Sequence, residues 1–136
     1  MLDALICAPS EGDNITGKNS KWQQSPFDGN YTSSIFVSQD PVAIDSVGAD
    51  FLMNEPAVVN RNDSLKGNAT VENYLHEAGL VENPPSNNQY QNGNGEKVIN
   101  LGVHEHWDHV SSKRESRNLG KKEGIELIQI VEKEER

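Results

Sequence analysis

SQDPVAIDSVGADFL, residues 38–52, decides the fold. Asp40 is the kind of residue that caps the free N–H groups of a first helical turn, and Pro41 suits the first helical position. The predicted helix runs to about Asn54, because Pro56 cannot continue it. Val42, Ala43, Ile44, Val47, Ala49, Phe51 and Leu52 wrap most of its circumference, so it is expected to be buried on several sides. Within that apolar surround, Asp45 and Asp50 stand out. Gly48 is expected to let a strand approach the helix closely.

Moving outward, residues 33–38 (SSIFVS) read as a buried strand and residues 2–8 as another. The intervening residues 9–30 are polar and rich in turn signals, with Trp22, Pro26 and Phe27 expected to pin them to the core. Beyond a loop at 60–68, residues 69–78 form a second predicted helix. Val71, Tyr74, Leu75 and Ala78 are its buried stripe, Glu72 and His76 share what reads as its outer face, and Gly79 is its stop. Residues 82–97 are a polar loop or linker, 98–103 a short strand, 111–122 polar chain, and 125–131 (IELIQIV) a terminal buried strand. The order favours an α/β (or α+β) class: a small mixed sheet, a few packed helices and long polar loops.

Length fits one domain spanning 1–136. Only 34% of residues are hydrophobic and 6% aromatic, which limits the core. A net charge of −9 opposes phosphate backbones and anionic lipid, so neither nucleic acid nor a membrane surface is an expected partner. There is no run long enough for a transmembrane helix, and residues 1–13 do not form a signal peptide. Compartment stays open. The apolar start at Leu2 reads as the tail of a strand whose beginning lies elsewhere. The expected partner is therefore a preceding portion of polypeptide, or a second copy of the chain. Cys7 is the sole cysteine, so no disulfide or cysteine-ligated iron–sulfur cluster can form within the chain. Its apolar setting suggests a small core residue, with a nucleophile as the alternative.

Three further blocks join the opening stretch: LGVHEHW (101–107), SRNLG (116–120) and GIELI (124–128). Together they resemble the C-terminal part of the domain-of-unknown-function family numbered 362, whose members are sometimes called iron–sulfur-centre proteins. The resemblance runs from Asp3 to Ile128 and implies an α/β module of a longer domain. It implies no reaction, and the cluster cysteines of some relatives are absent here.

Chemistry is most legible in His104-Glu105-His106-Trp107-Asp108-His109, which fits H-x-H-x-D-H. Alternate residues of an extended segment share a face, so His104 and His106 can converge on one divalent metal, with His109 or Glu105 adding a donor. That is the ligand grammar of metal-dependent hydrolases, where the ion acidifies a bound water. The residues after His109 contain neither His nor Asp, so the remaining ligands of a dinuclear hydrolase are missing. Surface or interface histidines beside a packed Trp107 are the other reading. Asp40 and Asp45 are candidate catalytic carboxylates, with helix capping the alternative for Asp40. Arg117 and Asn118 form a candidate anion site, the guanidinium supplying paired donors.

Two function classes follow. One is a module without an assignable reaction. The other is a metal- or anion-binding enzyme domain built on 104–109.

Overall fold

The computed structural model describes residues 1–10, 12–60, 69–109, 114–115 and 124–132; for 69–70, 108–109 and 114–115 it describes the backbone alone. Helix α1 (Pro41–Asn54) starts at Asp40, whose Oδ1 accepts from the N–H groups of Val42 and Ala43 at 2.9 Å each. It stops because Glu55, which precedes Pro56, adopts an extended conformation. Glu55 then caps the short α2 (Pro56–Val59) through Ala57 N–H.

α1 is buried on several sides, with Leu52 the one residue of its predicted apolar surround that is exposed. One side meets an aromatic cluster of Trp22, Phe27, Phe51 and Trp107, with Val47 and Val58 beside it. The other packs Val42 and Ala49 against Leu75 of α3 (Ala69–Gly79). Phe51 is the hub of the first cluster: its ring lies 5.5 Å from Phe27, 5.4 Å from Phe36 and 4.7 Å, edge on, from Trp107. Burial of one such ring contributes about 1.5–3 kcal/mol, and each aromatic pair about 1 more. Trp22 and Phe27 anchor the 9–30 segment, while Pro26 is exposed.

The strands are short and antiparallel among the described residues. β1 (Leu2–Ala4) pairs with β4 (Ser34–Phe36), β2 (Lys21–Trp22) with β3 (Asn30–Tyr31), and β5 (Trp107–His109) with β6 (Arg114–Glu115). The molecule is thus a small mixture of helix and strand. Leu2 lies against Gly48, where an added Cβ would come within 2.9 Å of its Cδ1, so α1 and β1 meet at the predicted glycine.

Several expectations from the sequence need correction. The strand expected at 2–8 is confined to Leu2–Ala4, and the buried strand expected at 33–38 to Ser34–Phe36, with Ile35 and Val37 exposed. No strand forms at 98–103, because side chains take the backbone groups a ladder would use. Gly102 N–H donates to Asn100 Oδ1, and Val103 N–H donates to Asp40 Oδ2, both at 2.9 Å. Residues 125–131 belong to no ladder either. Ile125 N–H is held by the Glu105 carboxylate, Ile125 and Leu127 pack on the aromatic cluster, and Ile128, Ile130 and Val131 are exposed. Tyr74 leaves its predicted stripe and is half exposed. The 82–97 segment is tied to α3 by Ser86 and Tyr90, which hydrogen-bond Glu77, and folds on itself where Gln91 bridges to Lys97 around a turn at Gly95.

Candidate metal centre

The segment 103–107 is laid along α1 and α3 by two glycines. At Gly102, φ is +144° and an added Cβ would sit 2.0 Å from Asp40 Oδ1, so only glycine lets the chain turn onto the α1 cap. At Gly79 an added Cβ would meet His104 Cβ at 2.9 Å, so the end of α3 can lie directly against His104. Asp40 then fixes the segment through Val103 N–H.

Side chains alternate from there. Glu105 points one way, is buried, and accepts from Ile125 N–H at 2.5 Å. His104 and His106 point the other way, towards Glu72, with rings 4.7 Å apart. Each has its Nδ1 engaged by α1. His104 Nδ1 lies 2.8 Å from the buried Ser46 hydroxyl, and His106 Nδ1 lies 2.7 Å from Asp50 Oδ1. The second Asp50 oxygen accepts from Trp107 N–H at 2.9 Å. Asp50-Phe51 therefore grips His106-Trp107 twice, by carboxylate and by ring.

With both Nδ1 atoms engaged, both Nε2 atoms face Glu72 of α3. His106 Nε2 is 2.7 Å from Glu72 Oε1 and His104 Nε2 is 3.6 Å from Oε2. His106 Nε2 and Glu72 Oε1 thus form a close ion pair, whereas the buried Nε2 of His104, a residue only 2% exposed, has no partner within hydrogen-bond distance among the described residues. These three donor atoms lie within 4.8 Å of one another. His76, one turn beyond Glu72 on α3, places Nδ1 3.6 Å from Glu72 Oε2 and its ring edge-on to His104 at 4.8 Å.

Electrostatics separates the two inner histidines. Burial, then the neighbouring His106 and His76 charges, push His104 down to about 4, against the pull of Glu72. The Asp50 hydrogen bond lifts His106 to about 9, with Glu72 adding to it and burial opposing. Burial works to raise Glu72, yet His106, His104 and His76 hold its carboxyl below the ordinary value. At neutral pH the centre thus sets a neutral His104 imidazole and a His106 imidazolium around the Glu72 carboxylate. Exchange of the His106 proton for a divalent cation would leave two neutral imidazoles and a carboxylate facing one point, each imidazole steadied from behind.

His104 and His106 come together as their spacing predicts. Asp40 lies at the same helix end as the segment but acts as a cap and a backbone anchor. Asp45 is exposed on α1, where its charge, after burial, raises the Tyr74 phenol; it has no part in the cluster. The His109 backbone is in β5 and its side chain is outside the described residues, as are Arg117 and Asn118. Glu72 and His76 share a helix face as expected, but that face looks onto the histidines rather than outward. Asp50 and Ser46 are further members of the centre. Asp50 carried a signal, being a carboxylate in an apolar helix face; Ser46 carried none.

An open groove of about 570 Å³ lies between β4 and residues 127–132, with Phe36 and Phe51 in its wall. None of the residues of the histidine cluster lines it. No family model, curated protein or solved structure matches this chain.

Proposed function

We propose that this chain is a metal-binding α/β module that holds one divalent first-row transition metal on Glu72 and the Nε2 atoms of His104 and His106. The observation that carries the reading is the convergence of those buried Nε2 atoms on one carboxylate, while both Nδ1 atoms are engaged behind them. Two imidazoles and a carboxylate suit zinc, iron, cobalt or nickel, whereas calcium and magnesium prefer oxygen donors. The likeness of residues 38–52 and 101–107 to the uncharacterised family numbered 362 is part of the proposal, because those blocks supply Ser46, Asp50, His104 and His106.

Isothermal titration of metal-stripped protein with zinc tests it. One equivalent bound, with affinity lost in both His106→Ala and Glu72→Gln, is the expected outcome. Failure to bind zinc, cobalt or iron would sink the reading.

A second reading concerns partners. Ile35, Val37, Ile128, Ile130 and Val131 are all more than half exposed, beside or along the groove between β4 and 127–132. That apolar surface supports self-association, with a second copy covering it. Sedimentation equilibrium should then give a concentration-dependent dimer that Ile130→Lys weakens. A monomer at all concentrations counts against it.

A further inference from the structure

Glu72 and His76 sit four residues apart on α3, and His104 and His106 two apart on the facing segment. These are the spacings at which a helix and an alternating chain each present two donors on one face. We propose that His76 is the fourth ligand, closing the triad into a Glu-His-His-His centre in which the ion clasps α3 to residues 104–106. This inference rests on the triad reading above.

Glu72 Oε2 lies 3.6 Å from His104 Nε2 and 3.6 Å from His76 Nδ1. Bonds of about 2.1 Å in a tetrahedron set neighbouring donors roughly 3.4 Å apart, so both separations already approach two edges of such a centre. His106 Nε2 meets the other carboxylate oxygen, Oε1, at 2.7 Å, a distance that an ion seated between them would lengthen. His76 comes from the solvent side, its side chain 35% exposed, and its ring already borders His104. His104 stays fixed by Ser46 and by the close approach at Gly79, and the donor atoms of Glu72, His104 and His106 already form a compact group, so it is His76 that must swing inward to complete the centre. Four protein ligands leave no place for an activated water, which makes the ion a structural clasp rather than a hydrolytic centre.

Cobalt(II) loaded into the metal-stripped chain, with zinc competition, provides the test. The parent should show the intense visible bands of a four-coordinate ion. His76→Ala should show the weak bands of a higher-coordinate ion filled with water, and should bind zinc roughly 10–100-fold more weakly or worse. His76→Cys, which restores a donor, should recover the intense bands, separating ligation from any structural role of the imidazole. Far-ultraviolet circular dichroism of metal-free His76→Ala should match the parent, since the side chain is partly exposed. If His76→Ala keeps both the parent spectrum and the parent affinity, the fourth-ligand assignment is overturned while the triad stands. If the parent takes up neither cobalt nor zinc, both fall together.

Discussion

Replacing Asp50 by Asn keeps the side chain's size, removes one charge and leaves one acceptor oxygen where Asp50 offers two, to His106 Nδ1 and Trp107 N–H. In the folded, metal-free chain Asp50 is the main reason His106 titrates near 9 rather than 6.5. At pH 7 that imidazole is almost fully protonated when folded and mostly neutral when unfolded. The difference is worth roughly 2–3 kcal/mol of stability at that pH. Asp50 and His106 are 5% and 20% exposed as side chains, so solvent screening takes little of it away. Glu72 retains a share, leaving a loss of about 2 kcal/mol for Asp50→Asn at pH 7. The sign follows from the raised value: this stability is complete below 6.5 and is lost as pH rises through about 9. The cost of the substitution should therefore shrink to below about 1 kcal/mol at pH 10. Urea unfolding of metal-stripped parent and variant at both pH values measures it, and proton NMR of the imidazole follows His106 moving back towards 6.5. Equal costs at pH 7 and pH 10, or an unmoved imidazole, would refute the reasoning.

Gly102→Ala should be severe, about 3 kcal/mol by urea unfolding, since it combines a backbone conformation reserved for glycine with the loss of the Asp40 cap; a cost under about 1 kcal/mol would show that the turn relaxes freely. The metal-free chain should be most stable near pH 6.5. His104, depressed to about 4, withdraws stability as pH falls below 6.5, and His106, raised to about 9, withdraws it as pH climbs above, so a flat melting profile from pH 4 to 9 would contradict both. Glu55 is wholly buried and receives the N–H groups of Gln23, Gln24 and Ala57. Glu55→Gln points an amide donor at those donors and should cost roughly 2 kcal/mol in the same assay, an unchanged midpoint being the adverse result.

The helices were legible because their signals are local. Asp40-Pro41 and Glu55-Pro56 punctuate α1, and Gly79 ends α3 close to its expected stop. The later segments misled because their decisive contacts are distant in sequence. An apolar, β-prone run at 125–131 cannot announce that a buried Glu105 will take its first N–H group. Nor can 98–103 show that Asp40, some sixty residues earlier, will occupy Val103. At the centre, alternation exposed His104 and His106. Glu72 stayed hidden because a carboxylate on a polar helix face reads as solvated until the facing element is known. Asp45 attracted notice by proximity to the helix start, whereas the buried carboxylate was Asp50, on the side of α1 that meets residues 106–107.

The double grip of Asp50-Phe51 on His106-Trp107 has a bearing on tolerance to sequence drift. The imidazole that faces Glu72 and the indole that fills the aromatic cluster are peptide-bonded neighbours, held by two adjoining positions of one helix. A volume change at Phe27 or Val58 can thus travel to His106 through a rigid dipeptide and shift a donor atom. Substitutions in that cluster would be filtered twice, once for packing and once for donor placement, and so would those around Leu75, because Val71 and Leu75 are peptide-bonded to Glu72 and His76. Among descendants of this chain, both clusters should change slowly and in concert with the donors beside them.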